Sequence, residues 1–172
     1  MDVAHGAVRP TTIGNFQIEP ATESDVPLIL GLIKGLADYE KLAHEVRATE
    51  EALRTSLFGE RPDAEVVIAR SQGEAAGFAL FFHTYSTFLA QRGLYLEDLF
   101  VLPGWRGRGA GRALLTYLAR VALDRNCGRL EWTVLDWNEP AIRFYRSLGA
   151  QSMDGWTINR VAGDTLRTLA GV

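Results

Sequence analysis

Leu94–Arg112 reads LYLEDLFVLPGWRGRGAGR, and its two halves call for different structures. Leu94 to Val101 is an apolar run of strand length, interrupted only by the adjacent carboxylates Glu97 and Asp98. Side chains alternate across a regular strand, so the two acids are expected on opposite faces, each needing solvent or a partner. Pro103-Gly104 then breaks the strand, and a glycine- and arginine-rich loop follows. Ala113, Leu114, Leu118, Val121 and Ala122 next mark one buried face of a helix. A strand, a loop of free backbone N–H groups and a helix N-terminus in that order can hold a phosphate. Carboxylates one strand-length upstream place a base near whatever that phosphate carries. The stretch therefore predicts group transfer from a phosphorylated donor.

Upstream, residues 1–15 are small and polar and are expected to form a flexible lead-in. Phe16-Gln17-Ile18 suits a short strand ending at Pro20. Val26, Ile29, Leu30, Ile33, Leu36 and Ala37 recur at helical spacing and predict a helix to about Tyr39. Thr49 followed by Glu50 and Glu51 predicts a second helix to Leu57. Ala64–Ala69 and Ala75–Tyr85 read as two strands joined by a turn at Ser71–Glu74, while 86–93 is open between loop and strand edge. Downstream, the helix is expected to run to about Asn126, with Gly128 as its stop. A strand at Leu130–Leu135, a helix from Glu139 to Leu148 ended by Gly149, and short strands near Ala150–Met153 and Trp156–Val161 follow. The order βααβββαβαββ is that of an α/β (α+β) chain with a mixed, mostly antiparallel sheet. Its single parallel crossover, expected to be right-handed, runs from Leu94 to Leu135.

A chain of 172 residues that is 47% hydrophobic fills one core, so residues 16–172 are expected to form one domain. A net charge of -3 argues against a general nucleic-acid binder. The lone Cys127 allows no internal disulfide, and His5, His44 and His83 lack ligand spacing, so no metal is expected. No apolar run reaches membrane-spanning length and the N-terminus lacks a signal-peptide pattern. A soluble, cytoplasmic protein without a membrane partner is the expectation.

Gly107, Gly109 and Gly111 alternate with Arg108 and Ala110, with Arg106 and Arg112 flanking. A dinucleotide fingerprint would need Gly or Ala at Arg112, and a P-loop from Gly104 would need Lys-Ser/Thr after Gly109; neither fits. An exposed, soluble loop is the bland alternative. Arg106-Gly107-Arg108-Gly109-Ala110-Gly111 instead resembles the Arg/Gln-x-x-Gly-x-Gly/Ala loop of the GNAT superfamily of N-acetyltransferases. Asn138–Ala150 (NEPAIRFYRSLGA) resembles that superfamily's N-x-x-A-x-x-F-Y-x-x-x-G-A helix. Leu94–Val101, Ile18–Thr22 and Leu36–Glu40 resemble its spermidine/spermine (diamine) acetyltransferase branch more narrowly.

The resemblance implies a GNAT-like acyl-CoA N-acyltransferase fold and acetyl-CoA as co-substrate, held by Arg106, Gly107, Arg108, Gly109, Ala110, Gly111 and Arg112. The backbone of Phe100, Val101 and Leu102, and the side chain of Asn138, complete the coenzyme site it implies. Tyr145 matches the family's general acid and Glu97 its candidate base. Tyr39, Glu40, Asp98 and Trp156 match positions around the amine. Each has a plainer reading: core packing for Tyr145 and Trp156, helix capping for Asn138, a solvated helix end for Tyr39-Glu40, and an edge strand for the acids. Ser86-Thr87-Phe88 replaces an acid and a tryptophan typical of the polyamine enzymes, which favours a smaller or less charged amine, such as a diamine or lysine-like amino acid. A homodimer acting on a small-molecule amine is implied. The alternatives are a non-catalytic acyl-CoA sensor and a protein or peptide N-acetyltransferase.

Overall fold

The computed structural model describes residues 8–172. Contacts divide the chain into two compact units, Met1–Thr133 and Val134–Val172. The first carries a six-stranded sheet whose spatial order follows the sequence: β1 (Thr11–Ile13), β2 (Phe16–Pro20), β3 (Glu65–Ser71), β4 (Glu74–Ser86), β5 (Gln91–Val101) and β6 (Leu130–Trp132). Neighbours are antiparallel except β5 and β6, which are parallel and joined through α3 (Ala110–Asp124). Between β2 and β3 lie α1 (Val26–Tyr39) and α2 (Glu50–Phe58).

The core has two sides. Val26, Ile29 and Leu32 of α1 and Leu53 and Leu57 of α2 pack with Val66, Phe78 and Phe100 from the sheet. Arg125, at the end of α3, pairs with Glu65 and lies over the Phe81 ring. Glu65 and Phe81 are the strand neighbours of Val66 and Leu80, so α3 covers the opposite face. Leu114 and Leu118 of α3 are fully buried.

Local chemistry explains the boundaries. Gln72 (φ 52°) and Gly73 (φ 83°) form a two-residue turn with both residues left-handed, the geometry that matches strand twist in a tight hairpin. Thr49 caps α2, its side chain accepting the Ala52 N–H at 3.2 Å. At the end of α3 the Asn126 N–H donates to Leu123 C=O and the Cys127 N–H to Ala122 C=O, with Asn126 at φ 52°. Asn126 is therefore the stop expected of Gly128. Gly128 has a different constraint: a Cβ there would meet Gln91 Oε1 and Leu89 Cδ1 at 2.9 Å.

Other expectations are also corrected. The expected flexible lead-in falls partly on residues 1–7, outside the described residues, but Thr11–Ile13 within it is a strand paired to Phe16–Ile18. Gly14, at φ 60°, turns that hairpin. The open stretch 86–93 resolves into the end of β4, a turn, and the start of β5. β6 stops at Trp132, short of the expected Leu135. In the second unit, α4 (Glu139–Ser147) forms as expected, whereas the strands expected at Ala150–Met153 and Trp156–Val161 do not. Alternating apolar residues make a strand only where another strand supplies ladder partners, and this stretch instead turns on itself, Trp156 N–H donating to Met153 C=O. A helix the sequence reading missed, α5 (Gly163–Ala170), follows, with Asp164 in its first turn and Gly171 left-handed at its end. Among the described residues no helix is long and apolar enough to cross a membrane.

Candidate active site

The site begins with a break in strand alternation. Leu96 of β5 is opposite Phe81 of β4, and Asp98 is opposite Leu80, so Glu97 is an extra residue bulged out of the ladder. In a regular strand Asp98 would share the face of Leu94 and Leu96. The bulge reverses that parity. Leu96 stays with Phe81 on the α3 side, while Asp98 and Phe100 turn to the α1 side, where Phe100 enters the core. Glu97 and Asp98, expected on opposite faces, consequently border one cavity.

That cavity measures about 420 Å³. Ile33, Leu36 and Ala37 of α1 form an apolar wall, and Glu40 sits at the end of that helix. Leu42 to Ala48, the strap between α1 and α2, contributes Glu45 and Arg47. Four carboxylates, those of Glu40, Glu45, Glu97 and Asp98, thus border one space with an apolar side. Burial, then the charges of Glu97 and Glu40, push Asp98 up to about 6. Burial also raises Glu40. Acids held this way favour an incoming cation, which lets them ionise. The apolar wall suits methylene groups between charged ends.

Beyond the bulge, among the described residues, no strand pairs with β5 on the side away from β4. Its pairing with β6 ends at Leu96 and Trp132, while pairing with β4 continues to Val101 and Gly77. The Leu102 N–H donates to Ala76 C=O on the β4 side at 2.9 Å, so strand alternation turns the Val101 N–H toward the open edge. The expected exposed backbone at Phe100, Val101 and Leu102 is therefore narrowed: Leu102 N–H is engaged, and Val101 C=O accepts Arg106 Nε–H at 3.0 Å.

The chain then passes a 3-10 turn, Pro103–Trp105, and enters the loop. Gly107 (φ 72°) and Gly109 (φ 95°) are left-handed, and a Cβ at either would meet nothing within 4 Å. Glycine is needed there for conformation rather than space. Gly109 stands at the N-cap of α3 without a side-chain cap. The first intrahelical bond is Ala113 N–H to Gly109 C=O, so the N–H groups of Ala110, Gly111 and Arg112 precede it and face the loop. Such a helix end, with Arg108 and Arg112 beside it, fits a pyrophosphate. Arg108 lies 5.3 Å from the Trp105 ring, which meets Phe16 edge-on. Arg106 joins the loop to the end of α1: its guanidinium lies 4.6 Å over the Tyr39 ring.

In the second unit, Asn138 caps α4, its Oδ1 accepting the Ala141 N–H at 3.4 Å. Tyr145 is on the last turn of α4, 5.4 Å from the Phe144 ring. Gly149 (φ 90°) ends the helix, with Ala150 N–H donating to Tyr145 C=O and Gly149 N–H to Arg146 C=O. Trp156 lies in the irregular segment of that unit.

The structure thus gathers Glu40, Glu97 and Asp98 in one cavity, whereas Tyr39, at the end of α1, lies under Arg106 and does not line it. Sequence reasoning missed Glu45 and Arg47. Their signal was a pair of opposite charges two residues apart between helices, indistinguishable in sequence from a solvated loop. Among the described residues no group of three or more His, Cys, Asp or Glu is arranged to hold a metal.

Residues 33–150 match the model of the acetyltransferase (GNAT) family, a match that crosses the boundary between the two units. The chain is 40% identical over 170 residues to a thialysine N-epsilon-acetyltransferase of Mus musculus, spanning 92% of this chain and 99% of that protein. It is 33% identical to an L-ornithine N5-acetyltransferase of Arabidopsis thaliana, spanning 89% of this chain and 87% of that one. A solved structure of an integron cassette protein from the mobile metagenome of V. cholerae superposes with a TM-score of 0.78 at 27% identity, over 93% of this chain and 100% of that one.

Proposed function

The chain belongs to the GNAT acetyltransferase family, and from that premise we propose that it moves the acetyl group of acetyl-CoA to the primary amine of a small, lysine-like acceptor. The observation that carries the acceptor class is the cavity in which four carboxylates meet an apolar wall. Relatives named for thialysine and L-ornithine, both amino acids with a distal amine, support the same class.

In this reading the pyrophosphate of the coenzyme rests on the loop Arg106–Arg112 and the first-turn N–H groups of α3, and the open edge of β5 runs along the pantetheine arm with Asn138. Asp98 and Glu40 hold the ammonium group, with Tyr39 and Trp156 beside the acceptor. An alkyl ammonium has a pKa near 10, so a proton must leave before attack, and Glu97, exposed at the bulge, takes it directly or through water. The neutral nitrogen adds to the thioester carbonyl, and the Val101 N–H stabilises the oxyanion. Collapse of the tetrahedral intermediate breaks the C–S bond, and Tyr145 gives its phenolic proton to the departing thiolate. No covalent enzyme intermediate forms. The same reading takes the enzyme as a cytoplasmic homodimer without nucleic-acid or membrane partners, to be checked by sedimentation and cell fractionation.

The test is acetyl-CoA consumption across diamines, polyamines, lysine-like amino acids and peptides, beside a control without acceptor. Consumption with short amines and little with peptides is expected. Silence across all four classes would replace the enzyme with a coenzyme-binding sensor.

A further inference from the structure

The cavity carries one charge that an amine site does not need. Arg47 borders it together with Glu40, Glu45, Glu97 and Asp98. Among the described residues no ion pair within 4 Å joins Arg47 to any of them, and Glu45 Oε1 lies 3.3 Å from His44 Nε2, both side chains exposed. A diamine brings two positive charges, and a guanidinium on the wall repels one of them. A lysine-like amino acid brings a distal ammonium, an α-ammonium and an α-carboxylate, and only the last calls for a cation. Arginine suits it because its planar fork can hold a carboxylate through two parallel hydrogen bonds.

The positions agree with that assignment. Glu97 and Asp98 lie on β5, where the coenzyme edge begins, whereas Glu45 and Arg47 lie on the strap between α1 and α2. The chain is extended at Val46 (φ -70°, ψ 111°), between them. Both residues border the cavity, as Val46 between them also does. An acid and a base side by side match the α-ammonium and α-carboxylate of one amino-acid head. The apolar residues Ile33 and Leu36 lie along α1, suited to the methylene chain.

We propose that Arg47 is the specificity-determining residue of the acceptor site, binding the α-carboxylate of an amino-acid acceptor while Glu45 takes its α-ammonium, so that amino acids are preferred over the diamines that lack the carboxylate. This rests on the acetyltransferase reading above, and the two can fail separately.

The experiment compares matched acceptors: L-lysine, L-ornithine and S-aminoethyl-L-cysteine, their amides, and the diamines cadaverine and putrescine. These are assayed with the intact protein, Arg47→Ala, Arg47→Lys and Arg47→Glu. The intact protein is expected to favour each amino acid over its amide and its diamine. Arg47→Ala should raise KM for the amino acids about tenfold or more while leaving their kcat near its original value. It should lower KM for the diamines, since a repelling charge is gone. Arg47→Lys should restore part of the amino-acid preference, and Arg47→Glu should invert it. Equal losses for amino acids and diamines, or an unchanged amino-acid preference in Arg47→Ala, would overturn the proposal. If the intact protein acetylates none of these amines, the acetyltransferase reading falls by itself. Calorimetric binding of L-lysine against cadaverine then decides on Arg47, and L-lysine affinity independent of Arg47 would overturn its assignment.

Discussion

Asp98 combines burial, two neighbouring acids and a place at the cavity wall, and each has a measurable consequence. Its folded pKa of about 6 stands above the ordinary 3.8, so the folded protein holds a proton that the unfolded chain releases. Stability from this group is greatest below the unfolded value and falls as pH rises through about 6. Asp98→Asn removes that loss. Urea unfolding of the two proteins should match near pH 4 and diverge by on the order of 2 kcal/mol in favour of the variant near pH 7.5. Parallel stability profiles would show that Asp98 titrates normally. Because the ionised carboxylate attracts the ammonium, kcat/KM for the amine should rise with pH through about 6, and Asp98→Asn should lose that limb and much of its amine affinity. Tyr145→Phe separates chemistry from binding. On the proposed role of Tyr145 as proton donor, the substitution should lower kcat on the order of a hundredfold with little change in acetyl-CoA affinity. Unchanged turnover would remove Tyr145 from the acid's role.

At the scale of elements, β5 and the loop after it depend on two glycines for opposite reasons. Gly77 faces Val101 across the ladder, and a Cβ there would sit 2.4 Å from the Phe100 carbonyl oxygen and 3.0 Å from Val101 Cα. Gly77→Ala should force β5 outward, costing about 1–3 kcal/mol in urea unfolding and lowering kcat together with stability. Gly109 has open space but a left-handed backbone. Gly109→Ala should cost about 1–2 kcal/mol and mainly raise KM for acetyl-CoA, because the loop amides lose their aim. If Gly109→Ala left both stability and that KM unchanged, the loop would not depend on its left-handed turn. These elements were partly legible beforehand. Strand, break, glycine loop and amphipathic helix follow from local composition, and α1, α2, α3 and α4 lie close to where periodicity placed them. The bulge at Glu97 was not legible, because one extra residue in a ladder is defined only against the partner strand. The strands expected after Ala150 failed for the same reason, and α5 was missed although its end signals were present.

Across the whole molecule, net charge is only -3, yet acids are concentrated at one cavity and arginines at the loop after β5. Attraction of a cationic acceptor should therefore be local and screened by salt. Raising NaCl from about 20 to about 500 mM should increase KM for an amine acceptor several-fold. A KM indifferent to salt would argue that the cavity's carboxylates do not act on the substrate. Cys127 lies beyond the end of α3, its thiol raised by burial, and transfer should persist in Cys127→Ala. Loss of transfer with the fold intact would contradict direct attack. By itself the sequence determined the mixed α/β class, the phosphate-suited loop and the paired acids, since each is written in neighbouring residues through periodicity, turn chemistry and spacing. Only the tertiary structure decided that Glu97 and Asp98 share one cavity, that burial and neighbouring acids push Asp98 up to about 6, and that Glu45 and Arg47 join them. Those facts depend on the register of β5 against β4 and on which helix and strap close over it. Such contacts join residues some fifty positions apart, and no local pattern records them.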